Sequence, residues 1–282
     1  MKKKTIWIIV LLVLVIAASG GTYYFVNHNH SQVIETKTVK QTKPKKKVIP
    51  KKKNISIVAV GDSLTQGVGD SKDVGGGYVT RLTKKVQAKY KVKTQSHNYG
   101  VSGDTSQQIM ARIKSDNKMH QDLPKADIIT VTVGGNDFMH LLQRKGLDLT
   151  AGNIADEQVQ FDKRLTKLLT DLRNYNETAP IYLIGIYNPF SIYLNNVKNA
   201  KTAFINWNKG SAKVAGTFNK VYFVDINNLY QPKGIMKKIK KTGSNPYLYT
   251  KDHFHPNGVG YDMMTDKVFE KVNGTTKEWL YK

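Results

Sequence analysis

The 282-residue chain contains no cysteine. That absence removes disulfides, thiolate-bound metals, cysteine nucleophiles and a lipid-modified N-terminal cysteine from consideration, and it suits a chain working in an oxidising exterior. Acidic side chains are scarce as well: 21 Asp and Glu stand against 44 Lys and Arg, for a formal net charge of +23. Nucleic acid is not the partner this excess points to, because no recognition module or basic-aromatic motif accompanies it. An anionic lipid surface or cell-wall polymer fits a basic chain better. Apolar residues are not in deficit; at 40% they are sufficient for an ordinary packed core.

Charge is missing altogether from Ile6 to Val26, 21 residues preceded by Lys2, Lys3 and Lys4. A helix of that length spans a hydrocarbon layer of roughly 30 Å. Ala17-Ala18-Ser19-Gly20 is small enough to be a cleavage site, but apolar and aromatic character resumes through Tyr23-Tyr24-Phe25-Val26. Residues 1–26 are therefore expected to be an uncleaved signal anchor, with secretion after cleavage as the alternative. The basic head stays inside, which puts the rest of the chain outside a single-pass anchor at the cell membrane. The nine lysines of residues 27–53 weigh against that orientation, though most lie well beyond the apolar run. Residues 27–53 are almost free of large apolar side chains and read as a disordered linker, either a plain solvated tether or a contact for anionic lipid or wall polymer.

From Asn54 onward, short β-rich runs alternate with helical stretches. Strands are expected at 55–60, 92–98, 127–133, 181–186 and 221–225, and helices at 77–90, 106–114, 156–175, 197–218 and 258–272. All but the second strand are nearly continuous runs of Val, Ile, Leu and Tyr, as in a parallel sheet buried on both faces. The pattern predicts an α/β fold, a three-layer α/β/α sandwich with a five-stranded parallel sheet, over residues 54–282. In such folds ligands bind at the carboxyl edge of the sheet, so functional residues should follow strands.

After the first strand comes Gly61-Asp62-Ser63-Leu64-Thr65-Gln66-Gly67. A serine hydroxyl becomes a nucleophile only with a base in reach and donors for the oxyanion it creates; without them, a serine here is a turn or cap residue. After the second strand, Ser102-Gly103-Asp104-Thr105-Ser106 offers Gly103 as an unobstructed backbone N–H, or simply a turn before a capped helix. After the third, Gly134-Gly135-Asn136-Asp137 supplies an amide donor, or a turn. Near the C-terminus, Asp252-His253-Phe254-His255-Pro256-Asn257 sets a carboxylate three residues ahead of an imidazole, with proline then expected to start a helix. No histidine-carboxylate spacing suggests a metal site, and no cofactor motif is present.

Taken in order, these four blocks resemble the SGNH-hydrolase superfamily, the GDSL lipases and esterases, over roughly residues 54–282. The resemblance implies a flavodoxin-like fold and a two-step acyl transfer from ester to water. It implies Ser63 as nucleophile, His255 as base and Asp252 behind it. The oxyanion hole it implies is made by the Ser63 and Gly103 N–H groups and the Asn136 side chain. Gly100 is a rival to Gly103, and His253 to His255; similarity to the block of bacterial lysophospholipases and thioesterases favours Gly103, and the family spacing favours His255. Asp62 and Asp137 are expected to brace their loops. Lipid or short-acyl esters are the expected substrates, with an apolar wall at Tyr187–Leu194. The alternatives are de-O-acetylation of a surface glycan and a non-catalytic surface-binding protein on the same fold.

Overall fold

Ile, Val and Ala fill the first strand because it is covered on both sides. In β1 (Asn54–Gly61), Val58 and Val60 enter one core and Ile57 and Ala59 the other, all fully buried. The computed structural model describes residues 49–70, 75–189 and 200–281. The apolar N-terminal run and most of the lysine-rich segment lie outside these. Among the described residues no helix is long and apolar enough to cross a membrane.

Strand β1 pairs in parallel with β2 (Lys93–Gly100) and β3 (Ile128–Thr132), and β4 (Ile181–Ile184) and β5 (Val221–Val224) complete a five-stranded sheet of order β2-β1-β3-β4-β5. This is the expected flavodoxin-like parallel sheet, whose order reverses between β1 and β3. Gly61 lies opposite both Gly100 and Thr132, so three segments leave the sheet side by side at that crevice. β2 and β5 are the two edge strands, and β2 has no fully buried residue, which is why it lacks an apolar run.

The helices are α1 (Ser63–Gln66), α2 (Gly77–Tyr90), α3 (Ser106–Ser115), α4 (Asn117–Asp122), α5 (Gly135–Lys145), α6 (Ala151–Tyr175), α7 (Ala200–Ala215), α8 (Ile235–Thr242), α9 (Gly258–Gly274) and α10 (Thr276–Trp279). On one face α3, α6 and α7 bury Ile109, Leu165 and Trp207; on the other α2 and α9 bury Leu82, Val86, Met264 and Val268. The Trp207 ring stacks on Phe161 at 4.6 Å and meets Phe138 edge-on at 5.2 Å.

Several boundaries differ from the sequence expectation. Gly134-Gly135-Asn136-Asp137 carries a turn signal in the sequence, yet α5 starts at Gly135 and places Asn136 in its first turn. The long α6 begins at Ala151 rather than 156, because Thr150 and Asn153 form a reciprocal cap there. Helix α8 has no counterpart in the expected elements. Lys51 and Lys52, grouped with the linker by composition, belong to the folded unit: Lys51 bridges to Tyr281, and the Lys52 N–H donates to the Leu280 carbonyl at 2.8 Å.

The turn from β3 into α5 needs glycine. Gly134 has φ +103°, and an added Cβ would lie 2.6 Å from the Phe161 ring and 2.9 Å from the Trp207 nitrogen. Gly134→Ala combines backbone strain with overpacking and is expected to lower unfolding free energy by roughly 2–4 kcal/mol. Denaturant titration measures it; a loss below about 0.5 kcal/mol would mean that the aromatic cluster yields freely.

Candidate active site

Gly61 ends β1, and the chain turns at once into α1, with Asp62 as its N-cap and Ser63 as its first residue. Asp62 Oδ1 accepts from the Leu64 N–H at 3.1 Å and from the Thr132 hydroxyl at 2.7 Å. From Thr132 a buried row of hydroxyls continues to Thr65 at 2.8 Å, on to Tyr78 at 3.1 Å and then to Thr130 at 2.9 Å. The row ties α1 to the end of β3 and to α2. Burial pushes the Asp62 carboxyl above its ordinary pKa, opposed by the bonds from Thr132 and Leu64. Ser63 is itself 6% exposed.

The C-terminal loop meets it. His255 Nε2 lies 2.8 Å from Ser63 Oγ, and His255 Nδ1 lies 2.8 Å from Asp252 Oδ2. Asp252 Oδ1 also accepts from the N–H groups of Phe254 at 2.9 Å and His255 at 3.0 Å. Burial raises the Asp252 carboxyl, but the His255 ring and these two N–H groups outweigh it and hold the group below its ordinary value. An ionised Asp252 can only accept, so Nδ1 carries the hydrogen and Nε2 presents its lone pair to the serine hydroxyl. Two bonds hold the loop from outside: the Tyr249 N–H donates to the His255 carbonyl at 2.8 Å, and the Tyr187 hydroxyl to the Phe254 carbonyl at 2.5 Å. His253 is exposed at φ +53°, and the bond to Asp252 belongs to His255. Pro256 precedes helix α9 instead of starting it, and Asn257 is the cap, accepting from the Gly260 N–H at 3.0 Å.

The second and third blocks interlock. Asp137 accepts from the Ser106 N–H at 2.9 Å, the Ser106 hydroxyl at 2.6 Å and Arg164 at 3.2 Å, joining the starts of α5 and α3. The Asn136 amide donates one hydrogen to the Asp104 carbonyl at 2.9 Å, which leaves its second for a ligand. Gly103, just before, sits at φ +87° with open space where a Cβ would be. A Cβ on the rival Gly100 would lie 2.0 Å from the Gln66 nitrogen, so that glycine is packed under α1. Arg112 clamps the whole set. Its guanidinium donates to the Gly61 carbonyl at 2.9 Å, the Tyr99 carbonyl at 2.9 Å and the Asp104 carboxylate at 2.6 Å.

A cavity of about 40 Å³ opens beside Ser63, lined by Leu64, Val133, Asn136, Ile186, Tyr187 and Phe254 among others. Asn136 shares it with Ser63, whereas Gly103 is not in its lining. Of the expected apolar wall, Tyr187 is in place; 190–194 lie outside the described residues. Phe254 and Arg112 were not anticipated. Phe254 is hidden between two histidines that draw the eye, and Arg112 looks like any solvated helix charge.

The chain is 31% identical over 229 residues to the uncharacterized protein YpmR of Bacillus subtilis, a match covering 80% of this chain and 85% of that one. It is 25% identical over 219 residues to the spore germination lipase LipC of Bacillus licheniformis, covering 76% and 94%. Among solved structures, the lipase Lip_vut3 from a goat rumen metagenome superposes with a TM-score of 0.63 at 23% identity, over 77% of this chain and 96% of that one. A variant of Axe2, an acetyl xylan esterase from Geobacillus stearothermophilus, does so with 0.53 at 19% identity, over 77% and 94%. At these identities the two structures speak for the fold alone. The family model described as GDSL-like Lipase/Acylhydrolase matches residues 59–263, and the chain belongs to that family of esterase- and lipase-type hydrolases.

Proposed function

We propose that the protein is a serine esterase that hydrolyses short-acyl esters at the outer face of the cell membrane. The observation that carries this reading is the chain of two 2.8 Å contacts from Asp252 through His255 to Ser63, ending at an apolar cavity. In the reaction the Ser63 hydroxyl passes its proton to His255 Nε2 as Oγ attacks the ester carbonyl, while Asp252 stabilises the imidazolium that forms. The Ser63 N–H, the Gly103 N–H and the free Asn136 hydrogen are assigned to the oxyanion; each such donor is worth roughly 10²- to 10³-fold in rate. His255 then protonates the departing alcohol, and water, deprotonated by the same nitrogen, releases the acid.

The cavity supports a short acyl group. About 40 Å³ of space for water-sized groups lies immediately beside Ser63, and one such group needs only roughly 10–15 Å³, so a short acyl group fits there. A second reading, removal of O-acetyl groups from a surface glycan, is favoured by the same small space beside Ser63. Placement at the membrane rests on the 21 uncharged residues behind Lys2, Lys3 and Lys4.

Ser63→Ala is expected to abolish turnover of p-nitrophenyl acetate with little change in melting temperature; retained turnover in purified variant protein would overturn the assignment. Across a panel of acetyl, butyryl and octanoyl esters, kcat/KM should fall with length, and a preference for octanoyl would remove the short-acyl reading.

Asp252→Asn is expected to lower kcat by up to about 10⁴-fold, because a carboxamide can donate to Nδ1 and favour the wrong tautomer. The depressed pKa of Asp252 also has a sign in stability. Its contribution is complete above the unfolded value near pH 4 and is lost as pH falls through the lower folded value. The stability difference between wild type and Asp252→Asn should therefore shrink as pH falls below about 4, as denaturation across that range can measure.

A further inference from the structure

Helix α8 stands apart from the other helices in its charge. Between Ile226 and Lys251 the chain carries six lysines and no aspartate or glutamate. Lys233, Lys237, Lys238, Lys240, Lys241 and Lys251 are all exposed. Elsewhere several cations are paired, Lys85 with Asp266, Lys167 with Asp171, Lys267 with Glu270 and Arg81 with Asp70 and Asp262, although other surface lysines such as Lys84 and Lys89 have no ion-pair partner among the described residues. None of the six lysines around α8 has an ion-pair partner among the described residues. Ile235 and Ile239, one turn apart, fix the helix to the body of the protein, so its lysines project from the remaining faces. Among them Met236 is 37% exposed, an apolar side chain in the middle of a cationic patch.

The place of this helix in the fold gives the patch a direction. Both of its flanks touch the catalytic rim. On the way in, the Gln231 side chain donates to the Asn188 carbonyl at 2.9 Å, next to the cavity residue Tyr187. On the way out, Leu248 bridges to Pro256, the Tyr249 N–H donates to the His255 carbonyl at 2.8 Å, and the Asn257 N–H to the Tyr247 carbonyl at 3.0 Å. The segments that lead into and out of α8 are thus both fastened to the rim of the Ser63 cavity.

We propose that α8 is an interfacial docking helix that seats the catalytic rim on an anionic phospholipid bilayer. Charge complementarity supplies the attraction: each lysine close to such a surface strengthens binding by about fivefold, and the effect fades beyond a screening length near 10 Å in moderate salt. Met236 selects a bilayer over a soluble polyanion, because a bilayer has hydrocarbon beneath its headgroup charge and a polyanion offers the methionine nothing. The docking is a binding property and does not depend on the ester-hydrolase reading.

The absence of cysteine makes the test direct, since Met236→Cys in the full chain gives one labelling site. With a polarity-sensitive fluorophore there, vesicles containing anionic phospholipid should shift the emission to the blue, zwitterionic vesicles should not, and high salt should reverse the shift. Lys237→Gln/Lys238→Gln/Lys240→Gln/Lys241→Gln in the same labelled chain should weaken the response at least about tenfold. The N-terminal segment is identical in both chains, so the difference reads α8 alone. The unlabelled quadruple variant should turn over soluble p-nitrophenyl acetate as the wild type does, which separates docking from damage to the site; an equal loss on the soluble ester would make α8 merely a support of the rim and overturn the proposal. An unshifted probe on anionic vesicles would also overturn it. So would a lysine-dependent response to soluble polyphosphate without one to vesicles, which would assign the patch to an anionic polymer.

Discussion

A carboxylate withdrawn from water must find its hydrogen bonds where it stands, and Asp62 finds one on the Thr132 hydroxyl across the β1–β3 pair. The bond is short, at 2.7 Å, and it sits at the point where the strand order of the sheet reverses. Because Asp62 also caps α1, the same carboxyl decides how the chain leaves β1 and therefore where Ser63 stands. The hydroxyl row behind Thr132 carries this constraint into α2 through Tyr78. Remove the partner and a buried polar group loses a hydrogen bond, at about 1–3 kcal/mol, in the turn that places Ser63.

Around that point the remaining loops are held by charge. Arg112 reaches back from α3 to two strand-end carbonyls and to Asp104, so the blocks after β1 and β2 share one guanidinium. Asp137 does the same for the blocks after β2 and β3 through Ser106 and Arg164. The His255 loop is the exception. It is fastened by hydroxyl and backbone bonds from Tyr187 and Tyr249, and it brings the second charged carboxylate, Asp252, to a half-exposed position. The two carboxyls near Ser63 are thereby tuned in opposite directions, Asp62 up by burial and Asp252 down by its three donors.

Much of this was legible in the order of residues. β1, β3, β4 and β5 announce themselves by apolar runs because both faces of each are covered, and Ser63 and Asn136 stand out because each follows such a run at the sheet edge. The Asp252–His255 spacing fits one short loop. What was hidden depends on contacts between distant segments. Thr132 reads as the last residue of a strand until Asp62 is seen beside it, and Arg112 gains its meaning only from carbonyls supplied by two other strands. Helix α5 was obscured by its paired glycines, which signal a turn in the absence of the aromatic cluster that makes Gly134 necessary. Helix α8 was obscured by its own lysines, since eight residues with four of them look like linker until Ile235 and Ile239 are seen to be buried.

The bridge between Lys51 and Tyr281 lies at the amino edge of the sheet, and Ser63 lies just past the other end of β1, a strand of eight residues. At about 3.3 Å per residue that is a separation of roughly 25 Å. Anything joined ahead of Ile49 or beyond Tyr281, whether a fusion partner, a purification handle or a solid support, attaches at the end remote from the catalytic mouth. The fold is therefore built to be gripped at one pole while it works at the other.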